Sequence, residues 1–248
     1  MFGTFYLEGK YFTEAIIPTI VVLSPKGGAG KTTTALVMST QLAKLYPVTV
    51  IDADKNHPIS RWATNGNTPA SMKIIADADE HSIADRIDEA ALETPFVVVD
   101  LPGSADKIAV MAVSRADFVV IPTGASEPDI VEAMKAIIVV RQHEKGMRRV
   151  NPAYNLPFAI LLTQTNAAIK TRILRHVIDG LAERNVPMLT TQLHERSAYK
   201  SMLFYGQTLE MLDPAEVSNI PKAIDNAQAL TNEVLEALRV AQSKEVTA

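Results

Sequence analysis

Hydrophobic residues gather along this chain into short, almost unbroken runs: "TIVVLS" (19–24), "VTVID" (48–52), "MKIIADA" (72–78), "PFVVVDLP" (95–102), "DFVVIPT" (117–123) and "FAILLTQ" (158–164). A strand with one wet face alternates apolar and polar residues, whereas unbroken runs bounded by turn residues fit strands buried on both faces. Between them apolar positions recur at helical spacing and predict helices over 31–45, 82–92, 105–114, 128–145 and 169–184. Ser82 stands as an N-cap; Ser126 or Glu127 caps another helix, with Pro128 near its first turn, where a missing N–H is harmless. Within 169–184, Ile169, Ile173, Leu174 and Val177 supply the apolar stripe. "LTTQLHER" (189–196) offers one more strand end before a short helix over 198–205, and a helical tail covers 215 to about 241. Strict alternation of strand and helix implies an α/β fold, a doubly wound and mostly parallel sheet with helices on both faces. No repeat or flexible linker interrupts it. The expected organisation is one domain over 19–248, closed by a helix docked on it, with an N-terminal arm over 1–18 whose aromatics keep no settled period.

Composition narrows the function. With 248 residues, 47% of them apolar, the chain can fill a sizeable core. No apolar run approaches the roughly 20 residues of a membrane helix. Glu8, Lys10 and Glu14 punctuate the N-terminus where a signal peptide would be apolar, so a cytoplasmic location is expected. The absence of cysteine excludes disulfides, thiolate metal sites and cysteine-held clusters. The formal charge of −4 is uneven: residues 141–200 hold ten Lys and Arg against four acids, a local +6.

The chemistry starts at "GGAGKT" (27–32), directly after one apolar run and opening a helix. Glycines let backbone N–H groups close around phosphate oxygens, the helix N-terminus adds a positive dipole end, Lys31 adds a mobile charge, and Thr32 offers a hydroxyl to Mg2+. Such a loop needs one lysine, yet Lys26 stands on its other side. Two further apolar runs end in carboxylates, Asp100 in "VVVDLPG" and Asp52 and Asp54 in "VIDADKN".

"KGGAGKT" resembles the deviant Walker A motif, K-G-G-x-G-K-[ST], of the ParA/MinD ATPases. The resemblance implies a P-loop NTPase fold that binds ATP and Mg2+, its nucleotide touched by Lys26, Gly27, Gly28, Ala29, Gly30, Lys31, Thr32 and Thr33. It further implies that Lys26 reaches across a nucleotide-sandwich homodimer to the partner's phosphates, as an arginine finger does. Asp100 would hold Mg2+ together with Thr32 and Asp54, Gly103 would face the γ-phosphate, and Asp54 would position the attacking water. Lys26, Lys31 and Asp54 are thus the implied catalytic set. Where the family often continues D-x-D-P-Q, this chain has Lys55 and Asn56. An amide after "FAILLTQ" would meet the adenine: Gln164, with Thr163 as the alternative.

Within the family, cysteine-dependent branches are excluded. A MinD-like basic membrane helix does not match "LTNEVLEALRVAQSKEVTA", so no stable membrane insertion is expected, and the last tyrosine, Tyr205, stands too early for a tyrosine-kinase tail. Small DNA-partition ATPases of the ParA type fit better: Ser60 and Trp62 follow the second carboxylate motif, and "HERSAYKSMLFYGQTLEML" resembles their late R-x-x-[FY] segment through Arg196, Tyr199, Met202 and Gly206. That segment is also similar to partition-like ATPases of conjugative and T-DNA transfer. The resemblance implies non-specific binding of double-stranded DNA by the ATP dimer, through Arg172, Arg175, Arg196 and Lys200, with a nucleoid location. It also implies a ParB-like centromere-binding or adaptor protein that stimulates slow hydrolysis. A positioning ATPase that binds no DNA is the alternative.

Overall fold

A computed structural model of the chain describes residues 5–7, 10–12, 18–103, 107–166 and 172–246. Strands β1 (Phe5–Leu7) and β2 (Lys10–Phe12) pair antiparallel as a two-stranded ribbon. The six apolar runs become β3 (Thr19–Val22), β4 (Val48–Asp52), β5 (Met72–Ile75), β6 (Phe96–Asp100), β7 (Phe118–Thr123) and β8 (Phe158–Thr165). A two-residue β9 (Leu193–His194) completes a seven-stranded, wholly parallel sheet in the order β5-β4-β6-β3-β7-β8-β9. All residues of β3, β4, β6 and β7 are buried, which is why these runs are apolar at both odd and even positions. The order doubles back at β3, so the ends of β3, β4 and β6 converge at the carboxyl edge, where open α/β sheets place their ligands.

Helices cover both faces. One carries α1 (Lys31–Leu42), α2 (Pro58–Ala63), α7 (Ser197–Tyr205) and α8 (Ile220–Val246); the other carries α3 (Ile83–Glu93), α4 (Lys107–Val113), α5 (Glu127–Met147) and α6 (Arg172–Glu183). The tail docks as expected: Ala223, Ala227, Leu230, Val234 and Leu238, one face of α8, are buried in the same core as α1. Each Leu or Val so buried contributes on the order of 1.5–3 kcal/mol.

Three local expectations change. Ser82 sits at the N-cap of α3 but makes no cap bond, because its hydroxyl donates to Asp79 at 2.7 Å. In α6, Leu174 and Leu181 are the buried positions, while Ile173 is 65% exposed; Ile169 lies outside the described residues, as do 104–106 at the head of the expected 105–114 helix. Helix α2 was not expected at all. It opens at His57 in the left-handed region (φ 45°), with Pro58 next, and is fastened to α7. The Trp62 indole N–H donates to the carbonyls of Met202 and Gln207, both at 3.1 Å, and Asn65 and Asn67 donate to those of Tyr205 and Gly206 at 2.8 and 3.1 Å.

Gly206 ends α7 at φ 60°, and a Cβ built there would stand 2.7 Å from the Trp62 carbonyl oxygen. Gly206→Ala therefore adds a left-handed alanine, costing roughly 1–2 kcal/mol, to a backbone clash. A total loss of about 2–4 kcal/mol is expected in a urea unfolding titration. A loss under about 0.5 kcal/mol would mean that the α2–α7 contact yields freely.

Candidate nucleotide site

Residues 23–30 link β3 to α1 at the carboxyl edge of the sheet. Gly28 and Gly30 take φ of 78° and 89°, which a side chain would resist, and Thr163 fills the space beside Gly30, 3.4 Å from where a Cβ would stand. Gly30 caps α1 without a side-chain bond, leaving the first N–H groups of the helix for an anion. The Thr163 hydroxyl donates to the Ala29 carbonyl at 2.9 Å and the Gln164 amide donates to that of Gly28 at 2.6 Å, tying the loop to β8. Gly103 lies against the loop: a Cβ there would come within 3.2 Å of Gly27 and 3.3 Å of the Lys31 Nζ.

The two lysines occupy different surroundings. Lys31 is 6% exposed, donates to the Lys26 carbonyl at 3.0 Å, and has its pKa lowered by burial against the opposing pull of Asp100 and Asp54. Lys26 is 43% exposed along its side chain and forms an ion pair with Asp129. Asp129 is the third residue of α5, where it completes a capping box with Ser126. Burial raises its pKa, but bonds from Lys26 and Ser126 win and hold it below the ordinary aspartate value. The motif Ser-x-x-Asp at 126–129 was the available sign of this residue, which the sequence reading passed over.

Asp100 and Asp52 end neighbouring strands and face each other in register. Both are fully buried. The Ser60 backbone N–H and hydroxyl donate to Asp52 Oδ2 at 2.8 and 3.0 Å, so Ser60 anchors α2 to the strand end. Burial raises the Asp52 pKa, with Ser60 as the main opposing influence. Neither oxygen of Asp100 finds a hydrogen bond of ordinary geometry, and burial, reinforced by Asp52 and Asp54, pushes its pKa up to about 7 against Thr32 and Lys31. An orphaned buried carboxylate beside a threonine hydroxyl fits a cation such as Mg2+, which takes one or two protein oxygens and keeps several waters. Asp54 is half-buried and its Oδ1 accepts from the Asn56 backbone N–H at 2.8 Å and side chain at 3.1 Å, while Lys55 points to solvent. The departure from D-x-D-P-Q thus supplies Asp54 with a local holder.

A cavity of about 240 Å3 flanks the loop, bounded by Gly30, Thr33, Thr163, Gln164, His194 and Tyr199. Both candidate adenine residues therefore reach it. Its far wall is formed by β9 and the start of α7, which bring His194 and Tyr199 to it. Burial, then Arg196, lowers the His194 pKa. Arg196 lines the same cavity with its Nε buried and unpartnered, and Lys200, also at the rim, pairs with Glu195 at 2.6 Å. Arg175 borders a separate cavity of about 380 Å3 on the other side of His194, and Arg172 borders a groove between α5 and α6. The four residues considered for DNA thus fall on two faces of the sheet, α6 on one and α7 on the other, meeting only along the β9 edge.

Residues 17–242 match the VirC1 protein family. Protein ParA of Rhizobium radiobacter is 31% identical over 223 residues, covering 90% of this chain and 98% of its own. The maintenance of carboxysome distribution protein A of Halothiobacillus neapolitanus is 29% identical over 222 residues, 88% and 96% of the two chains. Among solved structures, the cell division ATPase MinD of Pyrococcus furiosus superposes with a TM-score of 0.66 at 16% identity, covering 88% of this chain and 98% of its own. MinD of Pyrococcus horikoshii, complexed with Mg-ADP, gives 0.63 at 17% identity, covering 88% and 95%. With the whole sheet and its phosphate loop inside the matched span, the chain belongs to the VirC1 protein family and is an ATPase of the ParA/MinD type.

Proposed function

We propose that this ATPase is a dimerisation switch: ATP closes a sandwich dimer, the dimer holds double-stranded DNA without regard to sequence, and slow hydrolysis, accelerated by a ParB-like or adaptor partner, releases it. The observation that carries the reading is the unlike placement of the two loop lysines. Lys31 is buried at its own site beside Asp100 and Asp54, whereas Lys26 leaves the loop half-exposed toward Asp129. A cation so placed is available to a second protomer's phosphates. Thr32 and Asp100 would hold Mg2+, which when bound offsets the charge of the β- and γ-phosphate oxygens. Asp54, steadied by Asn56, would orient water for attack on the γ-phosphorus, and Gly103 and the loop N–H groups would take the phosphate oxygens. Thr163 and Gln164 would border the base.

DNA would lie along the β9 edge, where Arg175, Arg196 and Lys200 follow one another around His194, with Arg172 farther out on α6. The second reading, positioning of a protein assembly or transfer complex without DNA, is favoured by the split of those cations over two faces, and by the carboxysome-distribution relative.

A random-sequence duplex titrated with Mg·ATP analogue, Mg·ADP or no nucleotide, at two salt concentrations, separates the two. The switch reading expects binding only with the ATP analogue, with a log–log salt slope that drops by about 0.9 for each phosphate contact removed by Arg175→Ala or Lys200→Ala. No binding in any nucleotide state would end the DNA reading and move the cargo to a protein.

A further inference from the structure

Helices α5 and α6 leave between them an open groove of about 830 Å3, away from the phosphate loop but beginning at Ser126, the residue that caps α5. Its floor is apolar: Ile130, Val131 and Met134 from α5 face Ile173, Val177 and Leu181 from α6. Val131 and Ile173 are 54% and 65% exposed, a large exposure for β-branched side chains standing opposite one another. Ile138, also exposed, extends the α5 strip by one turn. The α6 edge carries two cations, Arg172 and Arg184, with His176 between them, and neither arginine is in an ion pair among the described residues. The α5 edge contributes one acid, Glu127, at one end.

We propose that this groove docks an amphipathic helix of a partner protein, apolar on one side and acidic along the flank that meets α6. The groove walls are two helices, which present side-chain ridges and no free strand edge, so a third helix is the element that fills the space between them. From Arg172 to Arg184 the α6 edge runs about 18 Å, the length of about three helical turns, which calls for apolar anchors at i, i+3 or i+4, and i+7. The two arginines select the sign of the flank: acids of the incoming helix find Arg172 and Arg184, whereas a basic helix meets two like-charged groups and a single acid. Because the groove ends on Ser126, an occupant lies against the cap that holds Asp129, and through it Lys26. Any effect of docking on ATP turnover rests on the switch reading above; docking itself does not.

The test is selection of random 16-residue peptides displayed on phage, against the full chain, with counter-selection against the Ile173→Asp protein. Enriched peptides are expected to carry acidic residues flanking apolar ones at helical spacing. Synthetic copies should lose at least about tenfold in affinity, by fluorescence anisotropy, to Ile173→Asp and to Val131→Asp, and severalfold to Arg184→Glu. These positions are exposed, and an unchanged thermal midpoint of each variant, measured alongside, keeps a fold defect from passing as a lost site. Failure to enrich any groove-dependent peptide, enrichment of basic peptides, or displacement of a bound peptide by duplex DNA with binding of the duplex lost in Ile173→Asp would each overturn the proposal. ATP turnover with the peptide present is read separately: docking without stimulation leaves the groove standing and counts against its link to Lys26.

Discussion

Lys31→Ala is expected to weaken ATP binding at least about a hundredfold, while Lys26→Ala leaves it within about threefold of wild type and abolishes the ATP-dependent dimer. The difference follows from where the two ammonium groups stand. Lys31 is buried beside Asp100 and Asp54, so its removal takes away the phosphate's counter-charge and leaves two carboxylates facing the anion. A charge-assisted contact in such a site is worth roughly 1.5–3 kcal/mol, and the repulsion left behind adds to it. Lys26 is held by Asp129 outside the loop, and its loss returns Asp129 to Ser126 alone, with α5 still capped. Titration with a fluorescent ATP analogue, followed by sedimentation velocity with a non-hydrolysable one, reads the two effects apart. If Lys26→Ala still dimerises with ATP, or weakens nucleotide binding as much as Lys31→Ala, the trans role of Lys26 is wrong.

The parts of this molecule that were legible in sequence are those whose physics is local. Strands buried on both faces need apolar residues at every position, so β3, β4, β6 and β7 announce themselves as unbroken runs. The phosphate loop is equally legible, because one short segment supplies its glycines, its lysines and its helix start. What escaped depends on contacts between distant segments. Helix α2 has six residues, too few for a periodic pattern, and takes its stability from Trp62 and Asn65 bonding to the end of α7. Strand β9 was legible only as a strand end somewhere in 189–196; its two residues and its place beside β8 are set by the edge that β8 offers. Asp129 is an ordinary helix cap until the fold brings Lys26 to it, 103 residues away in sequence. The charge count over 141–200 misled in a different way: it is a true excess, but a tally carries no face, and α6 and α7 cover opposite sides of the sheet. The same blindness applied to Ile173, which helical spacing assigns to the core and the structure exposes at a groove.

Asp100→Asn is expected to make the nucleotide-free protein more stable at pH 8, by roughly 1–3 kcal/mol, while removing Mg2+-dependent ATP turnover. The native site holds a carboxyl whose pKa is about 7 against an ordinary value of 3.8, chiefly because it is buried, with Thr32 and Lys31 offsetting only part of that cost. Its folded-state pKa is raised, so between about pH 4 and pH 7 the native state binds more protons than the unfolded chain, and stability falls as pH rises through that window. Above about pH 7 the whole cost of the buried anion is present. Three pKa units correspond to at most about 4 kcal/mol. Part of the gain is offset in the variant because Lys31, already lowered by burial, loses one of its two opposing carboxylates. Asparagine keeps the size and removes the charge, so the wild-type minus variant difference in urea unfolding free energy, at pH 5, 6, 7 and 8, isolates this one group from the rest of the titration. The difference should be smallest at pH 5, where roughly a third of the cost is already present, grow up to about pH 7 and level off by pH 8, and millimolar Mg2+ should narrow it, since the ion gives the wild-type carboxylate a partner and the amide a much poorer one. Curves that stay parallel from pH 5 to pH 8 would mean that Asp100 is ionised at little cost, and that the orphaned carboxylate is not what draws Mg2+ to this site.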